Sequence, residues 1–528
     1  MASTLLSPGV EIQERDLTIG SIETVEVNVG AIAGAFSKGP VLKPVRISSE
    51  AQLIEQFGEP SDANATTWWT AASFLQYGGV LDVVRVATSG QLTASDDAVS
   101  GSYTLSIPTL DVYESVYATA AANAFRWAAR NPGNESNALG VAIIDKGADV
   151  TLTLDGAPGT VDVGTQLQTT SGNAGGAKSG YIYQWDSTTN KVSLITSDTW
   201  DTTDVIENGA TDLNVTAKSD WYDSQVAFTG VTWPSIAPRP GTSPYVAERG
   251  GANDEMHIVV YDATGVITGK PNTLLEKFTY VSKANDAKTS SGAVNYYPTV
   301  VLNKSQYVYW GSHENDAYDV SGNAAIASGA NFGGTGNAGN PSTTTFDLFS
   351  SDSANRSYTF VKGAETLGAS SGEIITGLNE FADTETIDVD YVLMGGGDAA
   401  SKTNTQAIAA KVLSVCSGRK DAVGFISPYY GDVVGVTSST TQTQNVVDFY
   451  SSMQATSFGV FDSGWKYIYD RFADKYRYVP LNGDVAGLCA SVTANGTPWF
   501  SPAGLNRGAI RGAVKLAFSP TKSERDTL

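Results

Sequence analysis

The sequence predicts an α+β multidomain protein, with a split inner α/β domain from which β-rich middle and outer domains are inserted. Three observations predict it. The chain has 528 residues, too many for one hydrophobic core. Its front reads as a β-α-α-β unit, and an alternation of strands and helices returns only near residue 380. Between them runs a long stretch rich in Gly, Ser, Thr and Asn, with short strand signals and frequent turns. The composition agrees: 17% of residues are charged, 41% are hydrophobic and 54 are glycine, which suits turn-rich β domains.

Residues 1–22 read as an arm. Leu5 and Leu6 precede Ser7-Pro8-Gly9, and Val10-Glu11-Ile12-Gln13 alternates like a half-buried strand. A short terminal strand set off by a polar stretch does not stabilise itself and needs a sheet to join. Val25, Val27 and Val29 alternate with Glu26 and Asn28 in a strand ending near Gly34, after which Lys38-Gly39-Pro40 turns the chain. Ser49 and Gln52 form a capping-box pattern for a helix carrying Leu53, Ile54 and Phe57 and closed by Gly58. Trp68, Ala71, Ala72 and Leu75 mark a second helix, stopped by Gly78-Gly79, and residues 80–86 form an apolar strand.

Beyond residue 89 the short strands Val150–Leu154, Tyr181–Trp185 and Val192–Ile195 are separated by turns, with a small-residue loop over 169–180. Met256–Tyr261 is a strand followed by the turn Asp262–Gly265, and residues 320–345 read as a low-complexity loop. Strands are expected at Ile387–Met394, Ala422–Ser427 and Ser457–Phe461. They alternate with helices striped by Ile408, Val412, Val415 and Cys416, and by Val446, Phe449, Tyr450 and Met453. Such alternation implies parallel pairing through right-handed crossovers. The front unit lacks a core of its own, so it should pack with this distant region. The expected division is an arm over 1–22 and an inner domain over 23–88 plus 379–528. A middle domain takes 89–145 plus 246–378, and an outer insertion 146–245.

A net charge of −22 without any Lys/Arg run argues against direct nucleic-acid binding and suits a subunit kept soluble before assembly. No secretion signal is expected in MASTLLSPGVEIQERD, and no apolar run is long enough for membrane insertion. Cys416 and Cys489 lack metal-type spacing, and Cys416 reads as a buried free thiol.

Chemistry is sparse. Of the two histidines, His257 lies inside an apolar strand, and His313 has no cysteine or histidine cluster around it. Gly368-Ala369-Ser370-Ser371-Gly372 fits a nucleophile-elbow pattern, but no convincing strand precedes it and no histidine follows. Gly396 to Thr403 approaches a phosphate-binding loop, yet Ser401 replaces its second glycine and Asp398 would oppose a phosphate. Asp383, Glu385, Asp388 and Asp390 read as the solvent face of a strand. No catalytic, cofactor or metal site is expected.

Several ordered segments resemble contractile phage tail sheath proteins of the T-even-like family. At the front they are Leu5-Leu6-Ser7-Pro8-Gly9-Val10-Glu11, Gly34 to Pro40, Phe57-Gly58-Glu59-Pro60, Phe74 to Gly78 and Val83-Val84-Arg85. In the C-terminal half they are Arg419 to Ala422, Val479-Pro480-Leu481, Asp484 to Ala490, and Trp499 to Gly508. The last of these contains Pro502, Ala503, Gly504, Asn506, Arg507 and Gly508. The resemblance implies a structural, non-enzymatic subunit without cofactors, made in the host cytoplasm and built into the virion tail. It would stack as hexameric discs in a helix around a tail tube protein, meet baseplate and tail terminator proteins, and contract to drive the tube through the host envelope. Leu5, Leu6, Pro8, Gly9, Val10 and Ile12 would then be the assembly arm. Family members usually continue past the position of Leu528, so the inner domain is expected to be incomplete at that end. The runner-up from another class is a secreted, calcium-dependent surface-layer or adhesive protein, which suits the acidity and the Thr/Asn/Gly richness.

Overall fold

Six strands gather the two ends of the sequence into one sheet. The computed structural model describes residues 28–96, 104–118, 125–209, 211–312, 327–329, 331–332, 355–495, 499–504 and 507–528. The arm over 1–22, the loop over 320–345 for the most part, His313 and Asn506 lie outside the described residues. Across the sheet the order is Val45–Ile47, Val80–Arg85, Val29–Gly34, Tyr391–Leu393, Val423–Ile426 and Gly459–Phe461. All neighbours run parallel except Val45–Ile47, which is antiparallel to Val80–Arg85.

The strand Val29–Gly34 is central and covered on both faces, as parallel sheets require. Successive side chains point to opposite faces. Ala31 and Ala33 join Val392, Ile408, Val412 and Cys416 in one core, while Ile32 joins Trp68, Phe74, Leu393 and Phe425 in the other. Gly30 is forced by this packing, because a Cβ there would lie 2.8 Å from the Phe74 ring. Each such fully buried large side chain contributes roughly 1.5–3 kcal/mol.

Helices Glu50–Phe57, Ala65–Leu75 and Asn482–Ala494 cover one face. Helices Ser371–Asn379, Lys402–Arg419 and Ser439–Ser451 cover the other. Ser49 caps the first of them through the Gln52 N–H, as the sequence predicts. The second helix of that layer buries every residue but two of its length, so its moment is weak and its stop at Gly78 is the clearer signal.

The sequence-based expectations need three corrections here. The strand expected from Ile387 begins only at Tyr391, and Asp383, Glu385, Asp388 and Asp390 lie in a loop. The buried Arg419 guanidinium donates to the carbonyls of Phe381, Asp383 and Ile387 at 2.8–2.9 Å, taking the place of a neighbouring strand. A strand at Val45–Ile47 was not foreseen; it is three residues long and half-exposed, so it carries little pattern. The hairpin Trp465–Asp470 with Lys475–Pro480, joined by Lys515–Leu516 in a three-stranded sheet, was also not foreseen.

Between the two halves of the main sheet lie two larger sheets and, among the described residues, two further two-stranded pairs. An antiparallel six-stranded one runs Val205–Ile206, Leu213–Asp220, Val150–Leu154, Lys191–Ile195, Ser179–Asp186 and Gln166–Gln168, around its own core of Leu152, Ile182, Leu194 and Trp200. A four-stranded one orders Thr273–Ser282, Glu255–Asp262, Leu139–Ile144 and Asn355–Thr359. Trp221, Phe228, Trp233 and Val246 pack in the core of this second sheet, which Tyr183 of the first sheet also joins. Ile374 and Leu378 pack in the core of the main sheet.

Asp462 closes the last strand of the main sheet. Its carboxylate accepts from Ser427 Oγ at 2.6 Å and from the Gly464 N–H, and desolvation pushes its pKa up to about 7. The folded state therefore favours the neutral acid. That contribution to stability is complete below the ordinary aspartate range and is lost as pH rises through about 7. Asp462→Asn should flatten the fall in melting temperature between pH 5 and pH 8 and raise stability at the alkaline end. Parallel pH profiles for the two proteins, followed by circular dichroism, would refute this.

Candidate assembly surface

The residues expected to form one motif in the inner domain divide into a knot at the sheet's edge, where Phe57 and Gly58 are buried and Gly39 and Pro40 half-buried, and an exposed segment. Gly39, Pro40, Phe57 and Gly58 form the knot. Gly58 closes Glu50–Phe57 with φ +80°, where an added Cβ would clash with Ser37 Oγ. Its carbonyl accepts from Trp68 Nε1 at 2.9 Å, and Ser37 Oγ donates to the Phe57 carbonyl at 3.1 Å. The Phe36 and Phe57 rings meet at 5.1 Å. Gly39, with φ +95°, offers its carbonyl to Arg85 Nη1 at 2.8 Å. These residues shape the loops at the sheet's edge.

Pro502, Ala503, Gly504, Arg507 and Gly508 lie at the surface beside Trp499 and Phe500, which are 76% and 47% exposed. The Gly508 N–H donates to the Gly504 carbonyl at 2.8 Å, and the Arg507 guanidinium sits 5.3 Å from the centre of the Phe500 ring. The segment is fastened at Arg511. Its N–H donates to the Tyr77 hydroxyl at 2.9 Å, its carbonyl accepts from Lys466 Nζ at 3.2 Å, and its guanidinium donates to the Gln76 carbonyl.

Behind that anchor lies a buried polar cluster. Asp484 Oδ1 accepts from Lys466 Nζ at 2.9 Å and from the Tyr77 hydroxyl at 3.0 Å. Burial raises the Asp484 pKa, and the Lys466 ammonium opposes the rise. Asp484 lies within the segment Asp484 to Ala490 that carries the resemblance, and its role is to position the chain.

The three-stranded sheet presents Tyr467, Tyr469, Tyr476 and Tyr478 on one face, fixed by the pairs Tyr467↔Tyr478 and Tyr469↔Tyr476. Lys515 Nζ lies 4.9 Å over the Tyr467 ring, and Tyr476 is 53% exposed. Alternation through Trp465-Lys466-Tyr467-Ile468-Tyr469-Asp470 and Lys475-Tyr476-Arg477-Tyr478-Val479-Pro480 is the period-two signal that could have found this hairpin. At one edge of the main sheet Val460 and Phe461 are also exposed. Leu5, Leu6, Pro8, Gly9, Val10, Ile12 and Asn506 lie outside the described residues.

The remaining candidates are placed as structure. Ser370 caps Ser371–Asn379 in a reciprocal capping box with Glu373. Ser401 caps Lys402–Arg419, and Asp398 accepts from the Ala400 N–H and from Asn404 within the same loop. Asp383 caps its own turn through the Glu385 N–H, and Asp390 accepts from the Val29 N–H at 2.8 Å. His257 Nδ1 accepts from the Tyr280 N–H and Nε2 reaches the Pro238 carbonyl at 2.8 Å, with burial lowering its pKa. Cys416 is a buried thiol, pushed up to about 12 by burial, and Cys489 is also free. Among the described residues no group of three or more His, Cys, Asp or Glu side chains is placed to hold a metal ion.

Comparison with known proteins falls on the same segments. Residues 29–86 match the family model for the tail sheath protein Gp18 domain III N-terminal region, and residues 368–528 match that for the phage tail sheath protein central domain. The tail sheath protein of Vibrio phage KVP40 is 26% identical, over 99% of this chain and 79% of its own length. That of Enterobacteria phage T4 is 25% identical, over 99% and 78%. A solved sheath tail protein from Listeria innocua aligns over 95% of this chain and 63% of its own, with 9% identity and a TM-score of 0.38.

Lys466→Met leaves Asp484 buried without its counter-charge and should cost about 3–5 kcal/mol in a urea melt. A loss below 1 kcal/mol, roughly that of a surface change, would show that the cluster does not hold the Arg511 anchor.

Proposed function

From its kinship with the tail sheath proteins of T4-like phages we infer that this chain is a structural subunit of a contractile tail sheath, which polymerises around the tail tube and contracts to drive the tube through the host envelope. One observation carries the reading. The two matched regions are separated by some 280 residues in sequence, yet their strands Val29–Gly34 and Tyr391–Leu393 lie side by side in one sheet.

The finer reading is an inner domain built on that sheet, with the four-stranded and antiparallel six-stranded sheets inserted outward from it as middle and outer domains. The protein is taken as a virion component made in the host cytoplasm, without catalysis. Its partners are further copies of itself in stacked hexameric discs, the tail tube protein, and baseplate and terminator proteins.

Residues 1–22 act as the arm, adding Val10-Glu11-Ile12 as a strand to the edge of a neighbour's sheet. Each backbone hydrogen bond contributes ~0.5–1.5 kcal/mol, so about five give a link of a few kcal/mol that multiplies over a lattice. Because the arm is tethered by the mostly polar residues Asp16–Ser21, subunits can slide and rotate while it stays paired. The head-to-tail contact does not close on itself, so it propagates as a helix. Exposed Trp499 and Phe500 supply an apolar contact to the adjoining copy.

Negative-stain electron microscopy at high protein concentration should show tubes or stacked rings for the full chain and none after deletion of 1–22. Tubes that persist without the arm would remove it from the mechanism; a chain that stays monomeric even with added tube protein would overturn the sheath reading. Trp499→Ala combined with Phe500→Ala should change stability by less than about 0.5 kcal/mol yet abolish tubes. Unimpaired tubes in that variant would take the segment off the contact surface.

A further inference from the structure

Residues 485–523 contain Arg507, Arg511, Lys515 and Lys522 and no Asp or Glu, in a chain whose other residues hold 55 carboxylates against 29 cations. Arg507, Arg511 and Lys515 are exposed and lie along the segment fastened at Arg511. Among the described residues none of the three forms an ion pair, and each lies against an aromatic ring. Arg507 is 5.3 Å from the centre of Phe500, Arg511 4.9 Å from that of Tyr77 and Lys515 4.9 Å from that of Tyr467. Trp499, Phe500 and Val514 are exposed in the same segment. A surface that joins exposed aromatic rings to arginine without carboxylates has the composition of a contact between proteins.

The opposite sign gathers elsewhere. Asp383, Glu385 and Asp388 are exposed in the loop that leads to Tyr391–Leu393, and among the described residues no ion pair joins any of them to a cation. The nearby guanidinium groups of Arg419 and Arg46 reach main-chain carbonyls of this loop, those of Asp383, Ile387 and Asp388. The two surfaces belong to opposite layers of the main sheet. Arg511 is fastened to Gln76 and Tyr77, which follow the helix Ala65–Leu75 of one layer. The acidic loop is held by Arg419, from the helix Lys402–Arg419 of the other. With the sheet between them, the two surfaces do not meet within one chain.

We propose that the face of Arg507 and Lys515, with Trp499 and Phe500, docks onto the acidic loop over 383–388 of a second copy of this chain. This contact rests on the sheath reading and specifies how one copy recognises the next. Complementary charge selects which surfaces meet and in what orientation, while the exposed rings supply the burial. Because the cationic face and the acidic loop are different surfaces, each pairing leaves one of each free, and the contact can repeat from copy to copy. Nucleic acid, the other polyanion that such a face could take, is disfavoured by a net charge of −22 on the whole chain.

The test uses two charge-reversed chains, one with Arg507→Glu and Lys515→Glu, the other with Glu385→Lys and Asp388→Lys. All four side chains are exposed, so melts followed by circular dichroism should match that of the unmodified chain. In sedimentation velocity each reversed chain alone should need about tenfold more protein to associate, because like charges then face each other. An equimolar mixture should associate as the unmodified chain does, since the acidic face of one variant meets the basic loop of the other. If the unmodified chain assembles and either reversed chain does so equally well, or the mixture stays monomeric, this contact is overturned and the sheath reading stands. An unmodified chain that stays monomeric even with added tube protein overturns both. If a reversed chain fails to fold, Arg507→Gln with Lys515→Gln decides, and association equal to that of the unmodified chain overturns the contact. Binding of a random-sequence DNA duplex that is lost in the Arg507→Glu, Lys515→Glu chain, while that chain still associates normally, would overturn it in favour of nucleic acid.

Discussion

Everything in this fold depends on one parallel pairing, Val29–Gly34 against Tyr391–Leu393. Its partners are some 360 residues apart, so the chain must close a very large loop before any bond in that ladder forms. Closure entropy grows only slowly with length, and the pairing compensates for it by burying both faces of the sheet at once. Its register is pinned at one end, where the Val29 N–H donates to Asp390 and Asn28 donates to the Tyr391 hydroxyl. With that ladder in place the inserted sheets hang from a sheet that is complete without them.

A second regularity concerns where the cations go. The chain carries 33 Lys and Arg against 55 Asp and Glu, yet several of the cations are inside. Arg419 serves three carbonyls of an irregular loop, Arg85 two carbonyls of an edge loop, Lys466 the Arg511 carbonyl and Lys283 the Phe332 carbonyl. Buried carbonyls need donors, and where no strand supplies an N–H a long cationic side chain reaches in. Carboxylates go inside as well: among the described residues eight aspartates, Asp484 and Asp145 among them, are buried beside these four cations, so the interior takes up charge of both signs.

The outline of the fold was legible in the sequence because its helices and buried strands carry strong periodic signals and clear stops. Ser49 with Gln52 marked a helix start, Gly58 its end, and Gly78-Gly79 another. Elements without such signals were lost. Val45–Ile47 is too short to show a pattern, and the loop over 383–390 alternates charged and apolar residues as a strand does, although a distant arginine and not a neighbouring strand satisfies its carbonyls. The motif residues were legible as a set but not in their division: nothing local distinguishes Gly58, buried at a helix end against Ser37, from Gly504 in an exposed segment.

The wide spacing of the paired strands also has a consequence during synthesis. Ribosomes add about 5–20 residues per second, so roughly 20–70 s pass between the emergence of Arg85 and that of the strand ending at Ile426. Throughout that interval the first strands lack the neighbour that completes their sheet, while the antiparallel six-stranded sheet, whose strands all fall between Val150 and Asp220, gains every one of its own. Folding therefore proceeds from the middle of the chain outward, and the region proposed to polymerise is finished last. A nascent chain is thereby kept from joining a growing lattice before its outer parts have formed.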